Sequence, residues 1–127
     1  MKYTLPALFF LFILWIIYEA NQGNNNLFIT FTASVPYGDK LGHIGLYGVL
    51  TLLINLASRC YRIQLGNISL QAGTLAVLVF SLAEELSQGL LPTRTLDMGD
   101  AAADIVGIMI GAYVAKKLYK MFAYRRL

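Results

Sequence analysis

Residues 81–111 read SLAEELSQGLLPTRTLDMGDAAADIVGIMIG and carry five of the chain's seven acidic residues: Glu84, Glu85, Asp97, Asp100 and Asp104. Apolar stretches flank this polar run on both sides, and Gly107 and Gly111 close it. Asp97, Asp100, Asp104, Gly107 and Gly111 are spaced by 3, 4, 3 and 4 residues, which lays them along a single stripe of an α-helix. Ala103, Gly107, Gly111 and Ala115 add a ladder of small residues, the pattern that lets helix backbones approach closely in lipid. The stripe is therefore expected to be buried against another helix, carrying Asp104 inward to where it needs a hydrogen bond, a cation or a proton. Ordinary helix packing, with Asp97 or Asp100 as N-cap and dipole partner, accounts for one or two of these acids but not for three in register.

Composition sets the class around this stretch. Of the 127 residues 57% are hydrophobic and only 13% charged, and the mean hydropathy is +0.61, far from the balance of a soluble domain. The chain reads as an integral membrane protein of one domain. Stretches without charge run over 3–18, 41–58, 63–83 and 105–115, and a crossing helix needs about 20 apolar residues. The expected architecture is all-α, a polytopic four-transmembrane-helix bundle with helices near 3–20, 41–58, 66–88 and 99–118. The first stretch also invites a signal-peptide reading, but Tyr18, two before Ala20, is too bulky for a small-x-small cleavage site, which favours a retained helix. Cys60 is the only cysteine, so it forms no internal disulfide and reads as packing filler.

Assigning the connecting segments to alternate sides separates the charges cleanly. One side collects Lys2, Arg59, Arg62, Lys116, Lys117, Lys120, Arg125 and Arg126 and no acid, while the other collects all seven acids with Lys40 and Arg94. The positive-inside rule then makes both termini and the middle loop cytoplasmic, across a cell membrane. The basic tail suits an anchor against anionic lipid better than a nucleic-acid surface. In the first outer loop, residues 21–26 form a polar connector and 28–35 are apolar enough to lie at the interface.

Three segments bring candidate site residues to the outer side. Asp39, His43 and Tyr47 stand at i, i+4 and i+8 on one helix face, beside Lys40. His43, the sole histidine, is either a helix-start residue bonded to a backbone carbonyl or a proton carrier or ligand tuned by nearby acids. Glu85 and Gln88 share a face at i, i+3, so Glu85 is expected to face the bundle while Glu84, about 100° away, points to the outer interface. Arg94 follows Pro92; its planar fork suits either a neighbouring Asp97 or Asp100 or an external carboxylate or phosphate.

The combination of Asp39, Lys40 and His43 opening one helix with Glu85-x-x-Gln88, Arg94-x-x-Asp97-x-x-Asp100-x-x-x-Asp104 and Gly107-x-x-x-Gly111 resembles the VanZ-like family of small bacterial membrane proteins. The resemblance covers roughly residues 39–111. It implies several transmembrane helices and a link to low-level teicoplanin resistance, after which the family is named, but no defined reaction. Many members show Asn where this chain has Asp104, which adds a carboxylate here.

The leading expectation is a polar pocket at the outer leaflet that recognises or acts on a lipid or cell-envelope component. Arg94 would hold an anionic head group with Asp39, Lys40, Tyr47 and Gln88 beside it, His43 and Glu85 would move protons, and Asp97, Asp100 and Asp104 would orient them or bind a divalent cation through oxygen. The alternative is a non-enzymatic scaffold in which the cluster is an ion-pair network fixing helix register, supporting a homo-oligomer or an envelope enzyme. A proton-coupled transporter fits poorly, because the acids gather near one face and the inner halves of the helices carry no charge.

Overall fold

The structure, a computed structural model, describes residues 2–22, 30, 38–91 and 98–125. Four helices and one hairpin make up the described chain: α1 (Thr4–Asn21), α2 (Gly38–Ala57), β1 (Arg62–Leu65), β2 (Ile68–Gln71), α3 (Ala72–Gln88) and α4 (Met98–Arg125). Among the described residues three helices are long and apolar enough to cross a membrane, over Thr4–Asn21, Lys40–Ala57 and Met98–Ala123. Their outward faces expose Leu8, Leu11, Trp15, Leu41, Val49, Met109 and Ile110, large apolar side chains of the kind that face lipid or a partner.

The third helix departs from the expected span. Residues 66–71 are not helical, because Gly66 and Asn67 form the turn of an antiparallel hairpin pairing Arg62 with Gln71 and Leu65 with Ile68. Gly66 has φ +61°, which glycine adopts without a Cβ penalty at the first central position of a two-residue hairpin loop. Helix α3 therefore starts at Ala72 and has 17 residues, about 25 Å of length at 1.5 Å per residue. Helix α4 goes the other way, running to Arg125 rather than stopping near 118. Its last turns carry Lys116, Lys117 and Lys120, cations that favour a helix C-terminus.

Helices α2 and α4 run parallel and make the tightest contact of the bundle. Gly107 lies against the backbone of Ile44, and Gly111 against the backbone of Gly48; a Cβ on either glycine would strike a carbonyl oxygen of α2. A Cβ on Gly48 would come within 3.0 Å of the Gly107 oxygen. Ala103 and Ala115 are buried on the same face, so the small-residue ladder is the contact surface, as its spacing implies. Antiparallel to this pair, α3 packs against both, and α1 closes the core through Ile13 against Tyr47, Leu50, Val77 and Ile108, with Phe10 edge-on to Phe80.

The end of α2 is built on residues unsuited to their conformation. Arg59 and Cys60 have φ of 57° and 54°, while the Cys60 N–H donates to Asn55 O and the Arg59 N–H to Leu56 O. This is the paired bonding of a Schellman cap with arginine at the position glycine prefers. Arg59→Gly is expected to stabilise the fold by about 1 kcal/mol, read as a higher midpoint of thermal unfolding in detergent. Cys60 beside it is partly buried, and that burial pushes its thiol up, so the packing role read from the sequence fits an unreactive thiol.

Candidate functional site

The N-terminal ends of α2 and α4 and the C-terminal end of α3 meet at one end of the bundle. Because α2 and α4 run parallel, Lys40 faces Asp100 and His43 faces Asp104, each roughly one turn apart along its own helix. Lys40 Nζ is 2.5 Å from Asp100 Oδ1. His43 Nδ1 is 2.6 Å from Asp104 Oδ1, and its Nε2 lies 3.8 Å from Asp100 Oδ2. With the carboxylate accepting, Nδ1 carries the proton of the short bond. From α3, Glu85 Oε1 comes within 3.7 Å of His43 Nδ1.

Burial is graded along this line. The Lys40 and His43 side chains are 28% and 19% exposed, whereas Glu85 and Asp104 are 3% and 1%. The cluster thus opens at the bundle end through Lys40 and His43 and closes on the two carboxylates. Both Glu85 oxygens and Asp104 Oδ2 are buried without a hydrogen-bond partner among the described residues. Unsatisfied buried carboxylate oxygens cost free energy and call for a ligand, a proton or a cation.

Glu84 corrects the sequence reading. It is buried, not turned to the outer interface, and Gln88 Nε2 donates to both its oxygens at 2.8 and 2.7 Å. Gln88 therefore serves Glu84 rather than Glu85. The i, i+4 spacing of Glu84 and Gln88 is as close on a helix as the i, i+3 spacing of Glu85 and Gln88, and a helix end covered on more than one side buries positions about 100° apart. Tyr47 is placed beneath the cluster, buried in the core with its ring stacked at 6.2 Å from His43 and tilted at the same distance from Phe80. Asp39 belongs to the first turn of α2 by its backbone, but its side chain lies outside the described residues, as do Arg94 and Asp97 entirely, and the segment 28–35 apart from Thr30.

A second polar group, at the other end of the bundle, escaped the sequence reading. Asn55, wholly buried, donates from Nδ2 to Thr74 Oγ1 at 2.8 Å and to Gln71 Oε1 at 3.4 Å, and Gln71 reaches Ala112 O. Gly73 makes room for it, since a Cβ there would collide with the Asn55 amide. Its signal was uncharged polar residues inside charge-free stretches, which bond across helices in membranes. It ties α2, α3 and α4 together below the core.

No protein-family model, curated protein or solved structure matches this chain.

Proposed function

We propose that the chain is a VanZ-like cell-membrane protein of four spans with both termini cytoplasmic, whose polar cluster stands at the extracytoplasmic leaflet and recognises or acts on an anionic lipid or cell-envelope component. The observation that carries this reading is the deeply buried pair Glu85 and Asp104, with both Glu85 oxygens and Asp104 Oδ2 lacking a partner among the described residues, at the foot of a cluster that opens at one bundle end. A network built only to fix helix register gains nothing from carboxylate oxygens left without partners. Sidedness is supported by charge: Arg59, Arg62, Lys116, Lys117 and Lys120 belong to the opposite end, where Arg59 and Leu56 of the α2 terminus line a cleft with Tyr119 of α4. The fourth span would be α3 with flanking residues, short for the hydrocarbon by itself. The VanZ-like resemblance brings with it the link to teicoplanin resistance.

In this reading Lys40 and Arg94 supply positive charge for a head-group phosphate or carboxylate, and His43, held by Asp104, exchanges a proton with Glu85 or with the ligand. The scaffold reading is favoured at two points, where Lys40 meets Asp100 and Gln88 meets Glu84 directly. The test is lipid retention by the purified protein, using native mass spectrometry with phosphatidylglycerol against phosphatidylcholine. Preferential retention of phosphatidylglycerol that falls in Lys40→Met and Arg94→Ala is expected; equal retention of both lipids by the wild type would sink the anionic-ligand reading.

A further inference from the structure

We infer that His43, Glu85 and Asp104 form a binding site for a divalent transition cation of the zinc or manganese type. Each residue offers one ligand atom, an imidazole nitrogen and two carboxylate oxygens, and these atoms lie within 4.8 Å of one another. Bonds of about 2.0–2.2 Å to zinc set ligand atoms about 3.4 Å apart, so side-chain rotations that widen the 2.6 Å His43–Asp104 pair and draw Glu85 inward set the three around one ion. The three residues come from three different helices, α2, α3 and α4, each held by the glycine contacts and core packing already described, so the triad is a product of the fold rather than of one acidic stretch.

A cluster of acids alone would not make this a metal site; the second observation is the state of the carboxylates. Glu85 is 97% removed from solvent, as its 3% exposure states, and neither of its oxygens finds a hydrogen-bond donor among the described residues; Asp104 Oδ2 is in the same condition. Among the described residues the nearest cations and amides are bonded elsewhere or, like His43 at 3.7 Å from Glu85, stand beyond hydrogen-bond distance. The Lys40 ammonium bonds Asp100 and Gln88 bonds Glu84, and among the described residues the cluster holds four carboxylates, Glu84, Glu85, Asp100 and Asp104, with the Lys40 ammonium and the His43 imidazole. A divalent ion on His43 Nδ1 replaces the proton now shared with Asp104, neutralises two carboxylates and engages one oxygen of each.

The donor set selects the metal class. One imidazole with two carboxylates suits zinc or manganese, while magnesium and calcium prefer oxygen alone. Three protein ligands leave a coordination position open, as in zinc sites that bind a further group. Asp100, facing the other ring nitrogen of His43 at 3.8 Å, occupies the place of the outer carboxylate that orients a metal-bound histidine. The cation site goes beyond the lipid reading and stands without it.

The experiment is titration of the full chain, purified in detergent and stripped of metal, with Zn²⁺ and separately Mn²⁺, followed by calorimetry for zinc and electron paramagnetic resonance for manganese. One saturable site per chain is expected for at least one of the two ions. Glu85→Gln, which keeps the side chain's shape, is expected to weaken it by at least about 100-fold, and Asp100→Asn by about 10-fold, within the range for outer partners of metal ligands. Glu19→Gln should leave affinity unchanged. Absence of a saturable site with both ions, or a site that Glu85→Gln and Asp104→Asn leave intact in protein of native helicity, overturns the inference. Metal binding without phosphatidylglycerol preference keeps this site and removes the lipid reading, and the converse result does the opposite.

Discussion

His43→Ala is expected to destabilise the bundle by about 3 kcal/mol or more, because it leaves Asp104 buried and stripped of its partner. The pair is short, 2.6 Å, and the Asp104 side chain is 1% exposed, so the imidazole is the group that meets this buried carboxylate. Replacing both members by apolar residues of similar size, His43→Leu with Asp104→Leu, is expected to recover most of that loss, since well-packed hydrophobic groups often equal or exceed a buried polar pair in stability. Thermal unfolding in detergent measures both. The double variant also separates the two functional readings: a stable double variant that keeps wild-type metal and lipid binding would make the cluster a scaffold. If the double variant is no more stable than His43→Ala, the pair is not the isolated buried couple that the geometry describes.

Gly111→Ala carries the second large effect. A single methyl there meets the Gly48 carbonyl oxygen, backbone that cannot rotate away, so α2 and α4 must separate; overpacking of this kind costs about 1–3 kcal/mol. Gly107→Ala, directed at Ile44 O, is expected to behave alike. Gly45→Ala is the internal control. Nothing lies within 4 Å of a Cβ at Gly45, and alanine in an open helix position gains about 1 kcal/mol over glycine. The glycine effect extends to the site, because Ile44 adjoins His43 and Gly107 follows Asp104 by three residues. Moving the helices apart displaces His43 on α2 from Asp104 on α4 and from Glu85 on α3, so Gly111→Ala should weaken zinc or manganese binding as well as lower the unfolding midpoint. Unchanged stability and unchanged binding in Gly111→Ala would remove close helix approach as the device that assembles the cluster.

Much of this was legible in the residues. The 3, 4, 3, 4 spacing of Asp97, Asp100, Asp104, Gly107 and Gly111 predicts one buried face, and α4 is found packed through Asp100, Asp104, Gly107 and Gly111, Asp97 lying outside the described residues. The same spacing logic brings Asp104 to the interior, where it is fully buried. Other elements were harder. The hairpin at 62–71 was hidden in a charge-free stretch that a helix could equally have used, although Gly66-Asn67 between Gln64-Leu65 and Ile68-Ser69 is a two-residue hairpin signal in its own right. Glu84 was misjudged because helical periodicity ranks faces only relative to one neighbour, and α3 has neighbours on more than one side.

The sequence by itself determined that the chain is helical and apolar enough for a membrane, that its charges divide between two groups, and which face of α4 must be covered. Those properties follow from local periodicity and composition, which every short segment carries independently of the rest. Only the tertiary structure decided that α2 and α4 run parallel at backbone contact, that Gln88 answers Glu84, and that Glu85 and Asp104 converge on His43 with oxygens to spare. Convergence depends on residues up to 61 positions apart being brought within hydrogen-bond reach, and no periodicity specifies such distances. They are set by which backbones can touch, and here Gly48, Gly107 and Gly111 set them.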